Sequence, residues 1–408
     1  MRFTRSARIA AAAIASTLVL GACGGRDDAG SGEQGISDDE ILLGTSLAQS
    51  GPLSVYGDHA KAIEAYFNHI NETEGGIDGR KIRLITYDDA FDPSRTLENV
   101  RRLNEQDKVF AIVGVVGTQP NLGIVDYAGQ QEVPNIFMAA GTAELTKAEE
   151  YPFTVPWLPP YPIEGEIAGR FLAKENPDAT VAVLARDDDG GSDWMDGFRK
   201  GIEGTNIRVV AEQSIAVDAA QVDSEMASLA ATNADVFLNI NNPKQASQAI
   251  GYLATSPWDP EQFVASYASS IESTLKPVGL ENAVGVTSTQ YMKDPSDPNF
   301  ADDEGVKNYL SYMEQFAPGV NAMDLNTAVS GASGGQMVVE ALKRMEEPTR
   351  ESLMAAVESM QDVEIDMLLP GVDVTVSDAD HAAVECLQMQ RFDGKRYELV
   401  GDVICADD

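Results

Sequence analysis

The chain has 408 residues, of which 29 are Lys or Arg and 65 are Asp or Glu, so its formal net charge is −36. Binding to nucleic acids and docking on anionic membranes both depend on exposed Lys and Arg, so this charge argues against both functions. Hydrophobic residues make up 43% of the chain, which supplies a packed core and argues against disorder. At roughly 150 residues per domain, the length predicts two to three domains.

The first 22 residues have the pattern of an export signal. Arg2, Arg5 and Arg8 precede an apolar run, Ile9 to Leu20, which is shorter than the ~20 residues that span a bilayer. Leu20-Gly21-Ala22-Cys23 resembles a bacterial lipoprotein box, in which the signal is cut before a cysteine that is then acylated. We predict a signal peptide at 1–22, lipidation at Cys23 and a flexible tether at 23–37. The alternative is an ordinary signal peptide that happens to contain a cysteine.

Two further cysteines, Cys386 and Cys405, agree with export to an oxidising compartment. We predict a disulfide between them, with two separate buried thiols as the alternative. A hairpin centred on Asp393-Gly394 would not place the two cysteines opposite each other. We therefore expect the bridge to join one strand to the chain that follows the hairpin.

Apolar runs alternate with helical hydrophobic patterns along the chain. In the first part we predict strands at 41–47, 81–87, 109–113 and 135–138, and helices at 58–74, 93–105 and 119–131. After a proline-rich break at 152–160 we predict strands at 180–185, 207–215, 235–240, 262–265 and 284–290, and helices at 161–175, 192–203, 221–232 and 244–254. Helices follow at 304–316 and 326–346, and the final predicted strands, at 384–392 and 397–404, flank Asp393-Gly394, a hairpin signal.

This alternation of strands and helices predicts βαβ units around parallel sheets, an α/β fold. The run Val109-Phe110-Ala111-Ile112-Val113 is apolar throughout, which indicates a strand covered on both faces. The pattern restarts after residues 152–160, so we predict two doubly wound halves that divide there.

One catalytic motif matches by its letters. Gly331-Ala332-Ser333-Gly334-Gly335 is G-x-S-x-G, the pattern of a nucleophile elbow, and His381 follows it. An elbow needs a strong strand immediately before the serine, but residues 326–330 do not form one and a helical pattern continues afterwards. We interpret the motif as small residues where another element packs closely, and keep a serine hydrolase that uses Ser333 as a minor alternative.

Other candidate motifs for catalysis or metal binding are weaker. Ser273-Thr274-Leu275-Lys276 is S-x-x-K without the companion Lys-Thr-Gly motif. His59 and His69 are ten residues apart on one predicted helix, which is not ligand spacing. The acidic run 187–193 does not fit the EF-hand register, and neither GxGxxG nor a Walker A motif is present. We predict no metal and no cofactor.

Two strand-to-helix turns are made of small polar residues. Gly117-Thr118-Gln119-Pro120-Asn121 and Ala139-Ala140-Gly141-Thr142 each follow a predicted strand and open a predicted helix. Free N–H groups at helix N-termini bind carboxylates without any cationic side chain. Such turns lie at the carboxyl ends of the strands, where α/β proteins bind ligands. The alternative is that they are ordinary turns and caps.

Several motifs resemble those of the leucine/isoleucine/valine-binding protein family, in the family's order and spacing. They are Ser50-Gly51-Pro52-Leu53-Ser54-Val55-Tyr56-Gly57-Asp58, Ile70-Asn71, Gly75-Gly76-Ile77-Asp78-Gly79-Arg80-Lys81-Ile82, Tyr87-Asp88-Asp89-Ala90-Phe91-Asp92-Pro93, Val113-Gly114, Ala139-Ala140 and Glu144-Leu145-Thr146. The likeness extends over residues 38–405 and is most specific in the N-terminal half.

The resemblance implies a type I periplasmic-binding-protein fold, in which two Rossmann-like lobes, joined by three crossover strands, close on a ligand. Lobe 1 is expected at 38–157 and 290–366, and lobe 2 at 158–289 and 367–408. The implied function is to capture a small carboxylate-bearing solute, such as a branched-chain amino acid or a related amino or aromatic acid, and deliver it to ABC permease subunits without catalysis. We expect a monomer on the outer face of the cytoplasmic membrane, attached only through the lipid.

The family's ligand positions on the first lobe fall on the two turns and one aromatic residue. Tyr56 matches an aromatic that covers the ligand side chain, and Thr118 matches a hydroxyl that holds the ligand carboxylate. Ala139 and Gly141 match backbone donors and acceptors. The family usually has threonine at the position of Gly141, and in this chain a threonine, Thr142, follows that glycine.

The match is weaker on the second lobe. The family's tyrosine falls on Gly190, and the acidic partner of the ligand ammonium falls near Tyr267. The full predicted ligand set is Tyr56, Thr118, Ala139, Ala140, Gly141, Thr142, Tyr161, Gly190, Asn242 and Tyr267.

These departures bear on the ligand, because an ammonium buried in a cleft needs a carboxylate partner. With Tyr267 in place of that partner, the aromatic surface at Trp157-Leu158-Pro159-Pro160-Tyr161 suits an aromatic or aliphatic carboxylate, or an amide. Asp187, Asp188 or Asp189 is an alternative source of the charge. The alternative function is a ligand-presenting extracellular sensor, and neighbouring permease and ATPase genes would favour import instead.

Overall fold

The computed structural model describes residues 33–406, and from Glu33 onward the chain forms one compact unit. The predicted signal peptide, Cys23 and most of the predicted tether lie outside the described residues. Among the helices of the described part, none is long and apolar enough to cross a membrane.

The first sheet is parallel and has five strands. They are β1 (Glu40–Leu47), β2 (Lys81–Asp88), β3 (Ala111–Val113), β4 (Asn135–Met138) and β5 (Thr154–Pro156). Their order across the sheet is β2-β1-β3-β4-β5. The helices between them are α1 (Gly57–Thr73), α2 (Pro93–Glu105), α3 (Thr118–Leu122) and α4 (Val125–Gln130). Val109 to Val113 are fully buried, so the prediction of a strand region covered on both faces is confirmed.

The second sheet has seven strands in the order β12-β11-β10-β9-β8-β6-β7. They are β6 (Thr180–Arg186), β7 (Arg208–Ile215), β8 (Val236–Ile240), β9 (Glu261–Val264), β10 (Thr287–Gln290), β11 (Cys386–Phe392) and β12 (Tyr397–Cys405). Its helices are α5 (Tyr161–Glu175), α6 (Asp189–Gly201), α7 (Asp223–Ala230) and α8 (Pro243–Leu253). β6 to β10 are parallel, whereas β11 and β12 are antiparallel and form the predicted hairpin.

Three more helices follow β10 in the chain: α9 (Glu304–Phe316), α10 (Ser330–Arg344) and α11 (Arg350–Glu358). α9 and α10 pack on α1, so this segment returns to the first lobe before the chain enters β11. The chain thus passes between the sheets three times, and Met292 pairs with Leu368 where two passages run side by side. The α/β class and the two Rossmann-like lobes are confirmed. The residue bounds of the lobes stay a prediction.

Two helices differ from the prediction in where they begin and end. The helix expected at 119–131 is divided into α3 and α4, because Gly123 ends the first after five residues. The helix expected from residue 326 begins as one π-helical turn, Leu325–Val329, and becomes regular only at Ser330.

The disulfide joins Cys386 and Cys405, whose Cα atoms are 4.0 Å apart. The expectation that these cysteines do not face each other is wrong, because they are direct partners across β11 and β12. A bulge causes the difference: between the pairs Leu387–Ile404 and Met389–Val400, β11 has one residue and β12 has three. Gly401 begins the bulge at φ +73, a conformation that glycine adopts without strain.

Removal of this disulfide is expected to destabilise the protein. The bridge closes a short loop, with a sequence separation of 19, so loop-closure entropy predicts a loss of at most about 3 kcal/mol on Cys386→Ser/Cys405→Ser. Urea unfolding with and without dithiothreitol measures this. Reductant should destabilise the wild type and leave the double variant unchanged. Equal urea midpoints for the two proteins without reductant would contradict the prediction.

Candidate functional site

A small cavity lies where the carboxyl ends of strands from both sheets meet, the usual ligand position in α/β folds. Its volume is about 30 Å³, room for about two water molecules. A solute of amino-acid size therefore needs the walls to move apart. The lining residues are Tyr56, Phe91, Val116, Gly117, Ala139, Leu158, Tyr161, Arg186, Asn242, Tyr267, Tyr291, Asn326 and Ser330.

Arg186, the last residue of β6, occupies the centre of this site and is 5% exposed. Its Nε donates to Asp188 Oδ1 at 2.6 Å and its Nη2 donates to Thr118 Oγ1 at 2.9 Å, while Nη1 lies 3.5 Å from Asn242 Oδ1. Burial lowers the pKa of the guanidinium, but Tyr267, Tyr161 and Asp188 more than offset this, so Arg186 stays protonated.

Aromatic rings form the other walls. Tyr161 and Tyr267 pack at 5.2 Å between ring centroids, and the Arg186 guanidinium lies over both rings, at 5.6 and 5.3 Å. Tyr56 stacks on Phe91 at 6.0 Å. Burial raises the pKa of Tyr56, Tyr161 and Tyr267, so these phenols are neutral hydrogen-bond donors at physiological pH.

Half of the predicted ligand set lines the cavity. The lining members are Tyr56, Ala139, Tyr161, Asn242 and Tyr267. Thr118 lies behind the wall, where its hydroxyl accepts from Arg186. Gly190 packs against the same guanidinium, because a Cβ added there would lie 2.5 Å from Arg186 Nη2. The arginine thus fills space beside the position where the family's tyrosine was expected.

The turn Ala139-Ala140-Gly141-Thr142 contributes only Ala139 to the lining. Ala140 is fully buried, and the Gly141 carbonyl accepts from the Tyr161 backbone N–H at 2.6 Å. The Thr142 hydroxyl donates to Asp193 Oδ2 at 2.6 Å, away from the cavity. Gly141 and Thr142 therefore connect this turn to α5 and α6.

The expectation that the helix N-termini at Thr118 and Gly141 capture a carboxylate stays a prediction, and the helices there are short. Thr118 opens α3, which has five residues, and Gly141 precedes a single 3₁₀ turn, Ala143–Thr146. Such short helices have little dipole to offer. The cavity lining also contains a cation, Arg186, which the sequence analysis missed. The signal was present, because Arg186 is a lone cation that closes the apolar strand region Val181 to Ala185.

Of the acidic residues considered for an ammonium partner, Asp188 and Asp189 have other side-chain contacts, and so does the buried Glu164, which the sequence analysis did not consider. Asp188 is paired with Arg186 and caps α6, and Asp189 Oδ2 accepts from Gln119 Nε2 at 3.0 Å. Glu164, which is 1% exposed, accepts from the Ser266 backbone N–H at 2.6 Å and the Ser266 hydroxyl at 2.9 Å. Burial raises the pKa of Glu164.

Hydrogen bonds between the lobes close the cleft on two sides. Asp193 Oδ2, on α6, accepts from the Thr142 hydroxyl and from the Ala143 backbone N–H at 2.9 Å; we call these three residues the clasp. On the other side, Ser270 donates through its hydroxyl to Asp324 at 3.1 Å and through its backbone N–H to Asn326 Oδ1 at 3.0 Å.

Loss of the clasp should weaken solute binding, because closure would lose two hydrogen bonds to a charged group. We expect Asp193→Ala to lower solute affinity about tenfold, or ~1.4 kcal/mol. Calorimetry with the solute released from the purified protein measures this. Asp196→Ala is the matched control, since Asp196 lies on the same helix and its side chain is 75% exposed. Equal affinities for both variants would show that the clasp does not contribute.

The catalytic and metal motifs are structural in the described residues. Ser333 is 1% exposed inside α10, and its hydroxyl donates to the Val329 carbonyl at 2.9 Å, as helix interiors allow. His381 is fully buried, with Nδ1 2.8 Å from the Thr154 carbonyl oxygen. No strand-to-helix elbow surrounds Ser333, and the described part of the chain contains no group of acidic, His or Cys side chains placed to hold a metal.

Comparison with known proteins agrees with this architecture. Residues 40–396 match the family described as periplasmic binding protein. A leucine-, isoleucine-, valine-, threonine- and alanine-binding protein of Pseudomonas aeruginosa is 26% identical over 189 residues, 46% of this chain and 50% of that protein. The chain thus aligns with about half the length of this relative.

Solved structures extend the likeness to nearly the whole fold. A branched-chain amino acid ABC transporter protein from Thermus thermophilus with bound valine has a TM-score of 0.81 at 16% identity, covering 92% of this chain and 97% of its own. A solute-binding protein from Rhodopseudomonas palustris BisB5 in complex with 3,4-dihydroxybenzoic acid has a TM-score of 0.76 at 21% identity, covering 90% and 98%. The chain belongs to the periplasmic binding protein family.

Proposed function

We propose that this chain is an exported solute-binding lipoprotein that captures a small carboxylate-bearing solute and delivers it to an ABC importer. The cavity between the lobes supports this most directly, because it combines one buried cation, Arg186, with aromatic walls. The clasp holds the lobes together over that cavity, as capture by closure requires. The protein would act as a monomer, without catalysis or cofactor, anchored through Cys23.

The fold alone does not choose the solute. The Thermus relative carries valine and the Rhodopseudomonas relative carries a dihydroxybenzoic acid, on closely similar folds. The choice must come from the side chains of the cavity.

Mass spectrometry of solute released from the purified, denatured protein tests the proposal. A melting screen of amino acids, aromatic acids and amides accompanies it, and a true solute at 100 times its Kd should raise the free energy of unfolding by about 2.7 kcal/mol. The absence of both a released solute and any shift would contradict solute capture. For the anchor, Cys23→Ser should move the protein from the membrane fraction to the soluble fraction.

A further inference from the structure

We infer that the solute is a monoanionic carboxylate with an aromatic or alkyl body and no α-ammonium group, held through its carboxylate by Arg186. This inference rests on the proposed function and names its solute class.

The guanidinium, which lines the cavity, has donors to spare. Arginine carries five N–H donors, of which Asp188, Thr118 and Asn242 engage three. Among the described residues nothing accepts from the second hydrogen on Nη1 or on Nη2. Two N–H groups of one guanidinium are what a carboxylate needs for a bidentate pair of hydrogen bonds.

The pair with Asp188 does not cancel this capacity. Asp188 Oδ1 also accepts from the Gly191 backbone N–H at 3.1 Å, at the N-terminus of the 13-residue helix α6. The helix dipole therefore stabilises part of the Asp188 charge. Asp188 contacts the guanidinium through Nε, which leaves one hydrogen on Nη1 and one on Nη2 for a second anion.

An ammonium group has no counterion in the cavity. Of the described residues that line it, Arg186 alone carries a charge, and that charge is positive. A buried ammonium beside a buried guanidinium would be both unpaired and repelled. The uncharged body of the solute meets a favourable surface instead, since five of the lining residues are aromatic: Tyr56, Phe91, Tyr161, Tyr267 and Tyr291.

Calorimetry on the mature protein with matched probes tests the inference. The probes are 3-phenylpropanoate, L-phenylalanine and 3-phenylpropanamide, with 4-methylpentanoate and L-leucine as an aliphatic pair. In at least one set the carboxylate should bind at least tenfold more tightly than the amino acid and, in the aromatic set, than the amide as well.

Variants of the arginine complete the experiment. Arg186→Met/Asp188→Asn removes the buried pair as a whole and should lose at least 100-fold in carboxylate affinity, whereas Arg186→Lys should retain part of it. Arg199→Gln, an exposed arginine on α6, is the charge-matched control and should bind like the wild type.

The outcomes separate the inference from the proposed function. An amino acid or amide that binds as tightly as its carboxylate, a released solute that carries an ammonium, or full affinity in the folded double variant would overturn the inference and leave solute capture intact. No bound solute of any class would overturn both.

Discussion

Arg186→Met is expected to lower the free energy of unfolding by about 3–5 kcal/mol, because it leaves the buried Asp188 carboxylate without its cation. The side chains of Arg186 and Asp188 are 5% and 4% exposed, so water replaces little of the lost contact. Asp188 Oδ2 has no hydrogen-bond partner among the described residues, so only the Gly191 backbone N–H, bound to Oδ1, would still stabilise the carboxylate.

Addition of Asp188→Asn should restore most of this loss. The amide carries no charge to bury, and asparagine caps a helix N-terminus about as well as aspartate. Chemical unfolding of the two variants beside the wild type measures the recovery. Arg199→Gln should change stability by no more than ~0.5 kcal/mol, since its ion pairs are exposed. If Arg186→Met alone were as stable as the wild type, the assignment of a buried ion pair would be contradicted.

Gly197→Ala is expected to cost at least about 3 kcal/mol, at the upper end of overpacking effects. Helices α5 and α6 approach each other closely, and a Cβ on Gly197 would lie 1.9 Å from the Pro162 carbonyl oxygen. That oxygen belongs to the backbone and cannot rotate away, so the helices must separate. Pro162 follows Tyr161, so the separation should also disturb the cavity and weaken solute binding.

Gly251→Ala is the matched control within a helix. A Cβ there would meet its nearest neighbour, Val278 Cγ1, at 3.4 Å, an ordinary contact distance. Alanine favours a helix interior by up to ~1 kcal/mol over glycine, so this variant should be as stable as the wild type or more so. Thermal unfolding of both variants decides the matter. A Gly197→Ala variant that melts at the temperature of the wild type would show that α5 and α6 tolerate separation.

Most of the fold could be predicted because its elements are long and end in recognisable residues. The helices predicted at 161–175 and 304–316 coincide with α5 and α9, and Asp303 caps the latter through Val306 N–H, as an acidic residue at that position suggests. β5 has three residues and was hidden in a proline-rich break. Hydrophobic periodicity cannot identify an element that short.

The site was predictable in position more than in chemistry. The loops at the strand ends were expected to meet, and Tyr56, Ala139, Tyr161, Asn242 and Tyr267 do share one cavity. Which side chain provides the charge depends on how far residues reach across the cleft. Arg186 reaches from one lobe to Thr118 on the other, a distance in space that sequence spacing does not encode.

Formation of the disulfide can be used to follow the export of the chain. β11 and β12 come after every other described element, so in N-to-C translocation they leave the reducing cytoplasm after all of them. The Cys386–Cys405 bond can therefore form only once the rest of the described fold has crossed. Alkylating reagents modify Cys386 and Cys405 only while they are free thiols. A gel-mobility shift after alkylation should therefore distinguish the precursor from the translocated protein, and the C-terminal hairpin reports when export is complete.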